Sequence, residues 1–194
     1  MNKAAWLACV ILVPLALAQA GRGAFNVDHF SATLEMAMPG RGSAMSMKVY
    51  KSGDKMRTDL PSGAGYTVVE VSSHKTFMVM GGGMCMEMST PTQSQPNPFA
   101  AQGQVETKSL GNETVDGHAC QVEQITVTPA GGGPAQVMKA WLAADLQNFP
   151  VRVEMQSARG PMQINYKDVS LAEPDATLFA EPSGCRPMPG IPHP

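Results

Sequence analysis

The sequence predicts an antiparallel all-β domain, and three observations carry that reading. Nine of the 15 methionines recur in Met-x-Met spacing, as Met36/Met38, Met45/Met47, Met78/Met80 and Met84/Met86/Met88. Side chains two apart on a strand point to the same face, so this spacing asks for strands that each present a methionine-lined surface. Glycine and proline (19 and 16 of 194 residues) cluster between the alternating segments as turn punctuation. The segments themselves recur about every 8–12 residues, the rhythm of strands joined by short turns.

Each strand is justified by its own alternation. In 30–38, Ala32, Leu34, Met36 and Met38 oppose Thr33, Glu35 and Ala37, and Pro39-Gly40-Arg41-Gly42 turns the chain. In 44–51, Met45, Met47 and Val49 oppose Ser46, Lys48 and Tyr50. Segments 55–60, 66–71, 76–80 and 84–88 follow, separated by Ser52-Gly53-Asp54, Pro61–Gly65, a polar turn at 72–75 and Gly81-Gly82-Gly83. Residues 89–104 are rich in Pro and Gln and break the pattern, as a connector or a lid. Phe99 is the aromatic such a lid would dip into a cavity. Beyond it come strands at 105–110, 120–128, 135–143, 151–155 and 162–166, with a turn at 115–118 and a wide Gly-rich hairpin loop at 129–134.

Residues 1–20 read as a secretory signal. Lys3 precedes an apolar run over 4–18 broken by Pro14, and Ala18-Gln19-Ala20 ends it as a small-x-small cleavage site after Ala20. The run is shorter than the roughly 20 residues that span a bilayer. The expected organisation is a signal peptide over 1–20, a single β domain over 21–186 and a Pro-rich flexible tail over 187–194, in a periplasmic protein. A formal net charge of −2 with scattered Lys and Arg excludes a nucleic-acid stripe and offers anionic headgroups little attraction.

Cys85, Cys120 and Cys185 remain after export, where an oxidising compartment favours pairing. Spacing alone leaves three pairings open. If the last four strands form a meander, the start of the Cys120 strand and the end of the final strand meet at one end of the sheet. That favours Cys120–Cys185 and leaves Cys85 free within Met84-Cys85-Met86.

Catalysis is not expected. His29, His74, His118 and His193 lack metal-ligand spacing, no Gly-x-Ser-x-Gly elbow occurs, and the triple glycines lack the Lys-Ser/Thr of a phosphate loop. No cofactor is expected either.

A resemblance adds to this reading. The stretch Met47-Lys48-Val49-Tyr50-Lys51-Ser52-Gly53-Asp54-Lys55-Met56-Arg57 opens it, followed by the hairpin from Val68 to Met80. Leu110–Cys120, Ala140-Trp141-Leu142, Phe149–Val153, Tyr166-Lys167-Asp168-Val169 and Leu178–Gly184 continue it in order. Over residues 30–185 the chain resembles the LolA/LolB-like periplasmic lipoprotein-sorting superfamily, in its uncharacterised outer-membrane lipoprotein-sorting-like branch. The resemblance implies an all-β fold with minor α: an incurved antiparallel half-barrel sheet, here of about 10–11 strands, with a loop or short-helix cover. It also implies an apolar concave face that holds acyl chains. The chain lacks the carriers' long N-terminal helix, so its cover would come from 89–104. Arg57 sits where the pattern carries an arginine on an early strand.

Three functions remain open. The first is an envelope protein binding a lipid or lipoprotein acyl chain, with Met36, Met38, Met45, Met47, Met78, Met80 and Phe99 as ligand contacts. Methionine suits variable apolar ligands because it is flexible and polarizable. The second is a Cu(I) protein using Met84, Cys85, Met86 and Met88, since thioethers and thiolates are soft ligands. The third is a ligand-free interaction module with a solid methionine-rich core. Transient membrane or envelope-protein contact fits the first.

Overall fold

A computed structural model describes residues 25, 27–37, 44–89, 103–129, 132–157 and 160–187. The predicted signal peptide, Met38 and Phe99 lie outside the described residues. The described chain forms one open, 12-stranded sheet that is antiparallel except at its last strand and does not close into a barrel.

Six strands meander outward: β1 (His29–Ala37), β2 (Met45–Ser52), β3 (Lys55–Asp59), β4 (Gly65–Glu70), β5 (Lys75–Met80) and β6 (Met84–Ser89). Five more begin at the opposite edge and meander inward: β7 (Gln104–Val115), β8 (His118–Thr128), β9 (Gln136–Ala143), β10 (Phe149–Ser157) and β11 (Gly160–Ser170). The two halves join where β1 pairs with β11, and β12 (Arg186–Pro187) returns to the β6 edge. This is the open antiparallel sheet that the LolA/LolB-like resemblance implies, with β12 added to the eleven strands read from alternation.

One difference from the expected elements has a physical cause. β7 runs on through Gly111 to Val115 rather than stopping near 110. It is an edge strand, exposed along nearly all its length, so it carries no apolar alternation to read. Its ladder to β8 is continuous apart from an irregularity between Ser109 and Gly111, which sets Leu110 out of register. The turn into β8 uses Asp116 and Gly117 at φ 53° and 88°, the left-handed pair that a tight hairpin needs. Among the described residues the helical content consists of three 3-10 turns, at Pro61–Gly63, Ala144–Leu146 and Ala176–Phe179.

Register places the methionines. Directly opposed residues share a face, and β1 opposes Leu34 to Met47 and Met36 to Met45 on β2. Following the ladders outward, that same face carries Met56 on β3, Val69 and Thr67 on β4, Met78 and Met80 on β5, and Met84, Met86 and Met88 on β6. Inward it carries Ile164 and Met162 on β11, Val153 and Met155 on β10, and Met138 and Ala140 on β9. The main core lies mostly on this face, with Phe30, Leu34, Val49, Ile125, Val153, Ile164 and Tyr166 buried in it.

A second, smaller core occupies the other face of the outer strands. Val68, Phe77 and Cys85 are buried there, beneath the C-terminal segment that contributes buried Phe179. Asp175 caps the turn carrying Phe179, accepting from the Thr177 backbone N–H at 2.8 Å. Arg57 fixes the segment to β3, its Nη1 donating to the Leu178 carbonyl at 3.0 Å and its Nε to Asp59 at 2.7 Å. The guanidinium also lies 3.8 Å from the Tyr66 ring centroid.

The disulfide corrects the sequence reading. Cys85 bonds Cys185, with Cα atoms 4.4 Å apart, and Cys120 is a free, buried thiol. The expected Cys120–Cys185 bond assumed that the chain stops beside β11. Instead the C-terminal segment crosses to the far edge, where Arg186 pairs with Met86, and this sets Cys185 beside Cys85. Cys120, opposite Ala143 and Glu113, stays in the main core. Its Sγ donates to the His118 carbonyl at 3.4 Å, and burial pushes the thiol pKa up.

At Gly65, where φ is 137°, the backbone of β5 leaves no room for a side chain: an added Cβ would lie 2.0 Å from the Val79 carbonyl oxygen. Gly65→Ala is expected to destabilise by about 1–3 kcal/mol, since it adds backbone strain to a clash. Gly63→Ala, whose Cβ would enter open space at φ 69°, should cost less. Paired urea melts check the ranking, and equal losses would refute the close-approach argument.

Candidate apolar groove

The inner strands build a groove from residues that are scattered in sequence. Register sets Met138 of β9 opposite Met155 of β10, and Met155 opposite Met162 of β11, in one row across three strands. An open groove of about 680 Å³ lies at the end of the sheet nearest the β10–β11 hairpin. Its lining includes these nearly buried methionines, but most of it, Ala37, Gln124, Val137, Lys139, Glu154 and Gln163 among others, belongs to the opposite face of the same strands. Two large apolar residues stand exposed at its margin, Val137 at 50% and Leu110 at 46%. Leu110 reaches that position because the β7 irregularity puts it out of register.

The polar part of the lining consists of Gln124, Gln156, Gln163, Lys139 and Glu154. Lys139 and Glu154 are directly opposed across β9 and β10, so the charges offset one another. Lys139 is held in place by Trp141, 4.2 Å from the ring centroid, and by Glu113 at 3.8 Å. Trp141 is buried although it shares a face with these polar residues. Lys139 and Arg152 cover its ring, and its Nε1 donates to Glu113 Oε2 at 2.7 Å. Long cationic side chains bury their stems while keeping the charge wet, which explains a core tryptophan on a charged face.

The methionines expected as ligand contacts separate into two groups. Met36 and Met47 pack half-buried against the main core, with Met45 beside them on the same face. Their neighbour Ala37 lines the groove. Met78 and Met80 lie on the outer strands, away from the groove, and become more exposed toward the β5–β6 turn. Cys85 does not join Met84, Met86 and Met88 as a soft ligand, because it points to the opposite face and is bonded to Cys185. Met138, Met155 and Met162 were missed because each is single on its strand. Only cross-strand register, which the sequence does not display, brings them together.

A second open groove of about 540 Å³ touches Met47 and is lined by Thr33, Ser46, Lys48, Arg57, Asp59 and Tyr66 among others. Arg57 already has three partners there, so it serves chiefly to hold the C-terminal segment. Among the described residues, no group of three or more His, Cys, Asp or Glu side chains is placed to hold a metal ion.

Fold and site together define an open-sheet, all-β protein with an open, largely apolar groove on its inner strands. The chain belongs to the family described as a domain of unknown function (DUF4412), which matches residues 30–163. No curated protein matches it. Among solved structures it is similar to lipoprotein LppX of Mycobacterium tuberculosis, at 13% identity and a TM-score of 0.41, covering 72% of this chain and 85% of that one. LprF of Mycobacterium bovis gives 14% and 0.42, with 80% and 90% covered. An outer membrane lipoprotein-sorting domain from Vibrio parahaemolyticus gives 13% and 0.41, with 73% and 84% covered.

Proposed function

We propose that this is an exported, periplasmic binding protein, not an enzyme, that holds a lipid or acyl chain in the groove between β7 and β11. The observation that carries the reading is an open groove of about 680 Å³ with Leu110 and Val137 exposed at its margin and Met138, Met155 and Met162 in its lining. That volume falls within the roughly 300–1,000 Å³ typical of small-ligand sites. Methionine adapts to chains of differing length and unsaturation. The polar lining suits a neutral or zwitterionic head, because three amides accompany one offset Lys/Glu pair. The Cys85–Cys185 bond fits an oxidising compartment.

The test uses the two exposed apolar residues, whose replacement leaves the core intact. In a Leu110→Glu/Val137→Glu variant, affinity for a fluorescent 16-carbon fatty acid should fall at least tenfold, with the far-UV circular dichroism and melting temperature kept. No saturable binding by the unaltered protein, or equal binding by the variant, would reject the groove as the site.

A further inference from the structure

We infer that the tip of the β5–β6 hairpin is a thioether site for a soft monovalent cation, Cu(I). Met78 is directly opposite Met86, and Met80 is directly opposite Met84. Four thioethers therefore stand in a two-by-two array on one face of two adjacent strands. Directly opposed Cβ atoms lie about 4.5–5.5 Å apart and diagonal neighbours about 7–8 Å. Same-face neighbours along a strand are about 6.5–7 Å apart. Each methionine has three rotatable bonds beyond these positions, so three or four sulfurs can close on one ion from two strands. A single Met-x-Met strand cannot supply that convergence, because its sulfurs lie in a line.

The surroundings favour this chemistry. Exposure rises toward the hairpin turn, to 39% at Met80 and 60% at Met84, so an ion can reach the array from solvent. The turn itself is Gly81-Gly82-Gly83, which adds no side chain over the array. The ion pair nearest on these strands, Lys75–Glu87 at 3.3 Å, belongs to the opposite face, leaving the methionine face of the hairpin without charged side chains. Neutral, soft sulfur ligands prefer Cu(I) to harder divalent ions. The site lies outside the apolar groove and does not rest on the lipid-binding reading.

The experiment replaces all four methionines by leucine, which keeps volume and apolarity and removes only the sulfur. The intact protein is titrated anaerobically against a chromophoric Cu(I) chelator, with ascorbate as the reductant. One equivalent of Cu(I) should be withdrawn from the chelator by the unaltered protein and by Cys120→Ala. The Met78→Leu/Met80→Leu/Met84→Leu/Met86→Leu variant should bind at least 100-fold more weakly, while its far-UV circular dichroism and melting temperature stay unchanged. A Met36→Leu/Met47→Leu variant should bind Cu(I) normally. Failure of the unaltered protein to compete, or equal competition by the quadruple variant, would overturn the site. Loss in Cys120→Ala would overturn it in favour of the buried thiol.

Discussion

Replacing Cys185 by serine should destabilise the protein by roughly 2–5 kcal/mol, the largest effect expected of any single change outside the aromatic core. The bond joins residues 100 apart in sequence, and in the chain-entropy account a loop of about that length contributes close to 4.7 kcal/mol. Its loss also acts on the folded side. Cys185 holds the C-terminal segment against β6 through the parallel β12 pairing and helps keep the turn carrying buried Phe179 beside β3. An unpinned segment would uncover the smaller core and free the backbone groups of β6 for pairing with another chain. Urea melts with and without a dithiol reductant provide the check. The reductant should bring the unaltered protein to the stability of Cys185→Ser, and Cys120→Ala should keep its sensitivity to reductant. A silent Cys185→Ser together with a reductant-insensitive Cys120→Ala would mean that Cys120 holds the bond.

The contrast between what alternation reveals and what it hides is physical. Strands β1, β2, β5 and β6 were legible because each buries or half-buries one face, and a period of two then appears in the residues themselves. β7 showed only half its length, because an edge strand exposed on both sides has no reason to alternate. The Met-x-Met pairs correctly marked one face, yet the methionines in the groove lining have no such spacing. Spacing reports neighbours along one strand, whereas a site on a sheet is assembled across strands, by register. The disulfide was misassigned for the same reason. A meander argument covers the strands it counts, and the segment carrying Cys185 leaves that meander to pair at the other edge.

Phe149→Ala should cost about 3–5 kcal/mol, a large share of the roughly 5–15 kcal/mol by which domains are stable. The side chain is fully buried, its ring centroid 4.9 Å from Phe30 and 5.5 Å from Tyr166 in edge-to-face geometry. Such contacts add to the area term, and the cavity left behind adds to the loss. The position is also exacting. Gln147 and Asn148 take left-handed φ values of 55° and 61° just before it, and the Asn148 N–H donates to the Ala143 carbonyl at 2.9 Å. This cluster sits where the two meanders meet, with Phe30 on β1, Tyr166 on β11 and Phe149 on β10. Burial pushes the Tyr166 phenol pKa up, so that ring stays neutral and the contact is insensitive to ordinary pH. Because the cluster belongs to both halves, its loss should lower the stability of both together. Urea unfolding of Phe149→Ala should stay a single transition at lower denaturant, coincident by tryptophan fluorescence (reporting Trp141) and by far-UV circular dichroism. Two separated transitions would show that the outer and inner meanders fold independently, and a loss below about 1 kcal/mol would show that the aromatic junction is not what joins them.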